Sequence, residues 1–407
     1  MPQNKKQHYV PKFYLKRFTP NERLINLYNL KSRRKIIGAS LSSQCYKDYM
    51  YGKDGQTENA LGLIEGETSK LFKQIDKIIS LPKPLTEQHL TMLLHILIQH
   101  GRTKYATEEL DEITDKMTKE TWGEYFKEQH GIDINKFKIT MKDSARFSVQ
   151  MSMRMYPLLM DLHYKLLVNQ TDVEFIVSDN PVVHYNQLFN FRRVFGSAGT
   201  ASKGLQIFLP LDPRKTLVLY DPAVYRVGGN WVAIPVTNPQ DVYELNTLQM
   251  CSALDNVYFQ DEHTNLIALH KKADPYMRAA KATVYSMPLA GKPVEERHRI
   301  VAMHKADINT NLNLSMITLR GSAKKWRTDF IKDRYQPVAV PRDKRLVDDW
   351  KEFDKACDEG KYTPSEYVRY VFDKYGEQWE REEVAETAAK KQSNGIPTLL
   401  GDCSAKV

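Results

Sequence analysis

Residues 173–184 read Val173-Glu174-Phe175-Ile176-Val177-Ser178-Asp179-Asn180-Pro181-Val182-Val183-His184, an apolar run that leads into a polar turn. The near-continuous apolar character of residues 173–177 is typical of a strand that is buried on both faces. Pro181 cannot donate a hydrogen bond to a neighbouring strand, so we expect regular pairing to stop there. Asp179 and Asn180 are therefore predicted at a strand end, where a rigid backbone can hold a carboxylate against a ligand.

The same polar turn also has a purely structural interpretation. Asp and Asn side chains commonly bond to their own backbone and so shape a turn without contacting any ligand. Both interpretations stay open, because the sequence does not state a reaction. It does indicate that residues 178–180 are the centre of any site.

The composition is typical of a globular protein with a sizeable core. The chain has 407 residues, of which 42% are hydrophobic and 27% charged, enough for two or three domains. No apolar run approaches the roughly 18 residues of a membrane helix, and the first residues lead to no apolar signal segment. We expect a cytoplasmic protein without a membrane partner. The four cysteines lie far apart, which indicates neither a zinc knuckle nor a disulfide framework.

The positive charge is concentrated at the N-terminus. Residues 1–54 contain twelve Lys and Arg against three Asp and Glu, and this excess equals the formal net charge of +9 for the whole chain. Such a concentration favours an anionic partner, and nucleic acid before a membrane surface. The alternative is a basic face that is only solvated.

Hydrophobic periodicity predicts an α+β fold, in which a small, mainly antiparallel sheet is backed by several helices. We expect the following parts: basic N-terminal strands that join the core sheet (1–56), a helical part (57–170), a strand-rich part that completes the core (171–300), and a helical C-terminal extension with a weakly ordered tail from Lys390 (301–407). The predicted helices span 57–79, 86–104, 107–129, 142–167, 239–255, 343–358 and 364–386. The predicted strands include 24–30, 35–37, 173–177, 205–209 and 216–220.

Two motifs together resemble a widespread bacterial family, catalogued as domain of unknown function 4238. They are His8-Tyr9-Val10-Pro11-x-Phe13-Tyr14-Leu15-x-x-Phe18 and Ser178-Asp179-Asn180-Pro181-Val182. Further similarities are Glu58 and Glu65 on an acidic helix, Gln99-x-x-Arg102-Thr103 at a helix end, Pro210-Leu211-x-Pro213, and Asn246 on a late helix. The resemblance spans about residues 3–290 and brings no activity with it. Lys104 stands where the family usually has a proline after the Arg-Thr pair.

The polar residues at the edges of these elements include His8, Glu58, Glu65, Gln99, Arg102, Ser178, Asp179, Asn180 and Asn246. Asp179 with Glu65 and Glu58 would bind a divalent metal such as Mg2+ or Mn2+ through oxygen. His8 is suited to accept a proton near neutral pH. Arg102 would hold a phosphate, and Gln99 would orient it or a water. Arg33, Arg34 and Lys35, with Ser178 and Asn180, would bind the substrate.

Metal-dependent phosphodiester cleavage of nucleic acid is therefore our leading functional hypothesis. The alternative is a non-catalytic module that binds nucleic acid or protein, in which the polar cluster only fixes the fold and Tyr46, Tyr49 and Tyr51 stack on bases. In that alternative, Glu58 and Glu65 pair with Arg102 or N-terminal cations, and Asn246 bonds within the core. An effector in bacterial defence fits either hypothesis. P-loop hydrolysis, Rossmann redox chemistry and elbow-serine acyl transfer are disfavoured, because the chain lacks their motifs.

Overall fold

The computed structural model describes residues 5–190, 196–288, 299–308, 310–332, 340–367 and 369–374. They form the α+β fold that the sequence predicts, with small and mostly antiparallel sheets. The helices in these ranges are α1 (Lys12–Leu15), α2 (Gln56–Ile78), α3 (Glu87–Gly101), α4 (Lys104–His130), α5 (Ser144–Arg154), α6 (Pro239–Ser252), α7 (Leu266–Ala273), α8 (Gly321–Lys332) and α9 (Lys344–Asp358). The strands are β1 (Lys6–His8), β2 (Leu24–Asn29), β3 (Arg34–Ser40), β4 (Tyr46–Asp48), β5 (His163–Asn169), β6 (Val177–Ser178), β7 (Val183–Tyr185), β8 (Gln206–Asp212), β9 (Lys215–Tyr220), β10 (Tyr225–Val227), β11 (Ala233–Val236), β12 (Asn256–Phe259), β13 (Ala282–Pro288), β14 (Arg299–Lys305) and β15 (Ile317–Leu319).

Two sheets form the centre of the core, and residues 173–184 run from one sheet to the other. One sheet has the order β3-β2-β12-β6, and the other has the order β11-β5-β9-β8-β7. All pairs are antiparallel except β11 with β5. The polar turn with Asp179 and Asn180 therefore lies between β6 of the first sheet and β7 of the second. Pro181 has no N–H to donate, so strand pairing does not continue through it.

The predicted strand over residues 173–177 is wrong for most of its length. Only Val177 pairs as a strand residue, opposite Tyr258. The Phe175 N–H donates to the carbonyl of Pro213 at 2.9 Å, and the Ile176 N–H donates to a side-chain oxygen of Asn246 at 3.0 Å. The run is buried as expected, but a side chain and a loop take the hydrogen bonds that a neighbouring strand would have made.

The helices that position the candidate residues agree with the sequence pattern. α2 buries Leu61, Leu71 and Ile75 on one face, as the helical spacing predicts. α3 begins after Thr86, whose side chain accepts the His89 N–H. It ends at Gly101, so Arg102 and Thr103 lie at the junction with α4.

The helix predicted over residues 142–167 is wrong beyond its first half. α5 ends at Arg154, a short 3-10 turn that includes Pro157 follows, and β5 begins at His163. Proline interrupts helical hydrogen bonding, and Leu166 and Leu167 are buried in the five-stranded sheet instead.

The chain divides into two compact units, residues 1–352 and 353–407. In the first unit, strands occur after residue 300 as well as helices: β14 pairs with β13, and β15 pairs with β10. In the second unit, Phe353 packs against the rings of Tyr367 and Tyr370 at 5.0 and 5.1 Å between centroids. The predicted tail from Lys390, and most of the helix predicted at 364–386, lie outside the described residues. No helix in the described ranges is long and apolar enough to cross a membrane.

Candidate functional site

Asp179 is almost wholly buried, and its carboxylate accepts hydrogen bonds from the backbone of a neighbouring loop. Its Oδ1 accepts the N–H of Leu254 at 2.8 Å, and its Oδ2 accepts the N–H groups of Asp255 at 2.8 Å and Asn256 at 3.0 Å. Burial raises the pKa of Asp179 to about 6, although the three N–H donors act in the opposite direction. The carboxylate therefore holds the connection between α6 and β12.

The flanking residues of the polar turn bind α6 in the same way. The Ser178 hydroxyl donates to Gln249 Oε1 at 2.9 Å. Asn180 Nδ2 donates to the carbonyl and the hydroxyl oxygen of Ser252, at 3.2 and 3.0 Å. Ser178 and Asn180 are both buried. Contrary to the substrate-binding role predicted for them, their polar atoms are occupied within the fold.

Asn246 of α6 completes this set of contacts. Its Nδ2 donates to the carbonyl of Glu174 at 2.8 Å, and its Oδ1 accepts the Ile176 N–H at 3.0 Å. Asn246 is therefore a core hydrogen-bonding residue, as the structural interpretation of the sequence predicted.

Arg102 joins three parts of the chain from a buried position. Its Nη1 lies 2.7 Å from Glu65 Oε1 on α2, and its Nη2 donates to the carbonyl of His8 at 2.6 Å. Tyr51, whose ring is buried, donates its hydroxyl to the Arg102 carbonyl at 3.0 Å. Arg102 is thus bound within the protein and is not placed to hold a phosphate, and the Tyr51 ring is not available for stacking.

Gln99, one helical turn before Arg102, binds the next residue of the N-terminal motif. Its Nε2 donates to the carbonyl of Tyr9 at 3.1 Å, while its Oε1 is buried without a partner. Gln99 and Arg102 together hold the His8–Tyr9 backbone against the end of α3.

His8 itself presents a well-defined tautomer. Its Nδ1 lies 3.0 Å from the Gln44 carbonyl. Since a carbonyl can only accept, Nδ1 carries the proton and Nε2 carries the lone pair. Nε2 is buried without a partner. Burial, and the nearby Lys12, lower the pKa of His8 to about 4, so the ring is neutral near pH 7.

Glu58 lies on α2, two turns before Glu65. Burial raises the pKa of Glu58, and the nearby Glu65 carboxylate adds to this increase, while Arg102 and Lys12 oppose it. Its Oε2 is buried without a hydrogen-bond partner. Glu65 therefore pairs with the buried Arg102, as the structural interpretation predicted, whereas Glu58 lies near that guanidinium and forms no salt bridge among the described residues.

The metal site predicted from the sequence is not assembled. Among the described residues, which include Asp179, Glu58 and Glu65, no group of three or more His, Cys, Asp or Glu is placed to hold an ion. Glu58 and Glu65 lie beside Arg102 in one buried cluster, whereas Asp179 lies with Ser178 and Asn180 in a second cluster at the end of α6. The hydroxyl of Thr103 donates to Asn180 Oδ1 at 3.1 Å and so joins the two clusters. The signature residues thus form two adjacent buried clusters rather than one open site.

The basic residues of the turn between β2 and β3 lie elsewhere on the surface. Arg33 forms an exposed ion pair with Asp274 at 3.0 Å, and Lys35 Nζ donates to the Glu262 carbonyl at 3.0 Å. Arg34 is exposed and forms no salt bridge in the described structure. All three residues are exposed, and the substrate-binding role predicted for them stays a prediction.

Two polar features were not found from the sequence. The first is a cleft of about 520 Å3, which is lined by positively and negatively charged residues that include Arg17, Asp212 and Lys215. The imidazoles of His100 and His184 stack in parallel, 4.2 Å between ring centroids. The two histidines are far apart in the sequence and share no ligand spacing, so no sequence signal would have paired them.

Fold and site together define a mixed α+β protein whose motif side chains clasp the N-terminal segment and α6 to the core. The family described as Protein of unknown function (DUF4238) matches residues 6–263, more than half of the chain. The chain belongs to this family, which confirms the resemblance drawn from its motifs. Comparison with curated proteins and with solved structures gave no match.

Proposed function

We propose that this protein binds nucleic acid through its basic N-terminal segment, with the buried polar clusters fixing the shape of that segment. One observation carries the proposal. Eight cations of residues 5–54 are exposed and form no salt bridge with any described residue: Lys6, Lys12, Arg23, Lys31, Arg34, Lys35, Lys47 and Lys53. Unpaired cations of this density favour a polyanionic ligand, because each phosphate that they neutralise releases a condensed counterion.

The surroundings of these lysines favour a single strand. Lys6 lies over the ring of Tyr46 at 4.7 Å, and Lys53 lies over the ring of Tyr49 at 5.4 Å, measured to the centroid. Both rings are partly exposed. Aromatic rings beside backbone-binding cations are typical of surfaces on which unpaired bases stack.

Binding is favoured over metal-assisted cleavage because the predicted metal ligand is already committed. Both oxygens of Asp179 accept backbone N–H groups, and the carboxylates of Glu58 and Glu65 face a buried arginine. A cytoplasmic location and a role in bacterial defence stay predictions.

Fluorescence anisotropy with a labelled single-stranded RNA and a DNA of matching sequence tests this proposal. The triple variant Lys6→Gln, Lys47→Gln, Lys53→Gln should bind more weakly, and its slope of log affinity against log salt should fall by up to about 2, since single strands lose about 0.7 per phosphate contact. Lys73→Gln, Lys77→Gln, Lys271→Gln removes three exposed lysines elsewhere and should leave the slope unchanged. Absence of wild-type binding, or equal slopes in all three proteins, would refute the proposal.

A further inference from the structure

The cleft of about 520 Å3 opens where three loops meet. The loops are residues 172–174, the turn between β8 and β9, and residues 260–261 after β12, and Arg17 completes the lining. Sites for small molecules are clefts of about 300–1,000 Å3. This cleft therefore has the size of a small-molecule site.

The Pro210-Leu211-x-Pro213 motif holds one wall of the cleft in place. Arg17 Nε donates to the carbonyl of Leu211 at 2.6 Å, and the Phe175 N–H donates to the carbonyl of Pro213 at 2.9 Å. The turn between β8 and β9 is thus bound to two other parts of the chain. A binding site requires such a rigid support.

The least exposed charges of the cleft are paired within the protein. Arg17 forms ion pairs with Asp76 at 2.8 Å and with Asp212 at 3.1 Å. Lys215 Nζ lies 2.6 Å from Asp212 and 3.2 Å from Asp76. Both carboxylate oxygens of Glu174 accept backbone N–H groups of the loop after β12. These groups need no ligand, and they fix the shape of the cleft.

The exposed charges of the cleft have no such partners. Asp172 and Asp261 are exposed, and neither carboxylate forms a salt bridge with any described residue. Arg214 is exposed as well. Its Nη1 donates to the carbonyl of Thr171, and its guanidinium forms no salt bridge in the described ranges. Two carboxylates and one guanidinium are therefore left to bind a ligand.

The composition of the lining narrows the class of ligand. Seven of the nine lining residues are charged, and none is aromatic, which disfavours an apolar molecule or a stacked base. Four acids against three cations give no positive excess for a polyanion such as nucleic acid. A divalent metal is disfavoured too, because no group of three or more His, Cys, Asp or Glu among the described residues is placed to hold an ion. A small molecule that carries both charges fits best.

We propose that this cleft binds a free basic amino acid, such as L-arginine or L-lysine. Its α-carboxylate pairs with the guanidinium of Arg214, whose planar fork matches a carboxylate. Its α-ammonium and its side-chain cation pair with the carboxylates of Asp172 and Asp261, one each. A basic amino acid thus supplies one partner for each unpaired group, whereas a neutral or acidic amino acid leaves a carboxylate unpaired.

This inference is independent of the proposed nucleic-acid binding. None of the eight exposed cations assigned to that function lines the cleft. The experiments below contain no nucleic acid, so a negative result would leave the proposed function standing.

Isothermal titration calorimetry of the full chain with L-arginine and L-lysine tests the inference. We expect saturable binding of both, and none of L-leucine or L-glutamate, which lack a second cation. Agmatine lacks the carboxylate of arginine, and N-acetyl-L-arginine lacks its α-ammonium. Each should bind at least about tenfold more weakly than L-arginine, the effect of one lost hydrogen bond between charged groups. Because a residue at the end of a peptide lacks one of these two groups, the same probes distinguish a free amino acid from a chain end.

Three variants of the unpaired residues locate the binding site. Arg214→Gln should weaken the binding of L-arginine to that of agmatine and leave agmatine unaffected, because both changes remove the same ion pair. Asp172→Asn and Asp261→Asn should each weaken the binding of L-arginine at least about tenfold. Only one of these two should leave N-acetyl-L-arginine unaffected. All three side chains are exposed, so the variants should keep the wild-type stability when no ligand is present.

The matched controls are Arg226→Gln and Asp143→Asn. Both replace an exposed charge that does not line the cleft, and both should bind L-arginine as the wild type does. Absence of binding at L-arginine concentrations up to about 10 mM, where a millimolar site would be largely filled, would overturn the inference. Unchanged binding by Arg214→Gln and both Asp variants would also overturn it, as would L-leucine or L-glutamate binding as tightly as L-arginine.

Discussion

Arg102 Nη1 lies 2.7 Å from Glu65 Oε1, and this contact ties the end of α3 to the middle of α2. The two side chains differ greatly in exposure, at 2% for Arg102 and 28% for Glu65. A buried guanidinium needs a hydrogen-bond acceptor at each donor. Here the acceptors come from α2 and from the His8 carbonyl, so one side chain fixes where the basic N-terminal segment lies.

Arg102→Met should therefore destabilise the protein strongly. The substitution leaves the Glu65 carboxylate without its partner and removes the donor to the His8 carbonyl, and breaking a buried ion pair in this way costs about 3–5 kcal/mol. Urea denaturation measures the change in the free energy of unfolding. Arg226→Met is the control: Arg226 is exposed, and a change there should stay within about 0.5 kcal/mol. Similar stabilities for both variants would contradict the structural role of Arg102.

Asp179→Asn should lower stability and leave any turnover unchanged. The amide replaces one acceptor oxygen by a donor that faces backbone N–H groups, so at least one of the three N–H donors from residues 254–256 loses its partner, at about 1–3 kcal/mol. Thermal denaturation, read beside an assay that incubates the protein with RNA and Mg2+ and follows cleavage, distinguishes this from a catalytic role. Asp172→Asn, at an exposed position, is the matched control. Normal stability with lost cleavage would return Asp179 to the chemistry.

Gly101→Ala should destabilise the packing of α3 on α5. A Cβ at this position would lie 2.3 Å from Ser152 Oγ and 2.8 Å from the Ser148 carbonyl oxygen, so the backbone must shift. Such overpacking costs about 1–3 kcal/mol. Gly62→Ala in α2 is the opposite case, because nothing lies within 4 Å of its Cβ, and there alanine should add up to about 1 kcal/mol of stability through helix propensity. Chemical denaturation measures the change in the free energy of unfolding for both variants. Opposite signs would confirm the close approach of α5 to Gly101.

Much of this arrangement could be predicted, because the spacing of apolar residues indicates which polar side chains lie at the edges of buried elements. The helical spacing of Leu61, Leu71 and Ile75 places Glu58 and Glu65 on one side of the same helix. Neighbours along one helix are fixed by its period of 3.6 residues.

Partners across the fold could not be predicted. Asp179 binds backbone N–H groups some 75 residues further along the chain, and a backbone donor leaves no mark in a sequence. The strand expected at residues 173–177 is wrong over residues 173–176 for a related reason, since Asn246, on another element, accepts the Ile176 N–H. Side chains that substitute for a strand partner cannot be distinguished by composition from ordinary core residues.

Stability should fall as the pH drops below about 6.5, because several histidines are buried in the neutral form. Burial lowers the pKa of His8, His89 and His184 to about 4 and of His95 to about 3. In the folded protein the pKa of each of these histidines lies below its value in the unfolded chain. As the pH falls, the unfolded chain therefore takes up protons first. The stability that is present above pH 6.5 is lost as the pH falls towards 4. Urea denaturation at a series of pH values measures the slope.

His95→Phe isolates one of these contributions. The His95 ring lies 5.2 Å from that of Phe72 in an aromatic cluster, and its Nε2 is buried without a partner, so a phenyl ring suits the site and carries no titrating group. We expect the variant to lose less stability than the wild type between about pH 6.5 and 4, because one proton fewer is taken up on unfolding. His163→Phe, at an exposed position, should keep the wild-type slope. If His95→Phe keeps it too, the buried imidazole is not a source of the acid sensitivity.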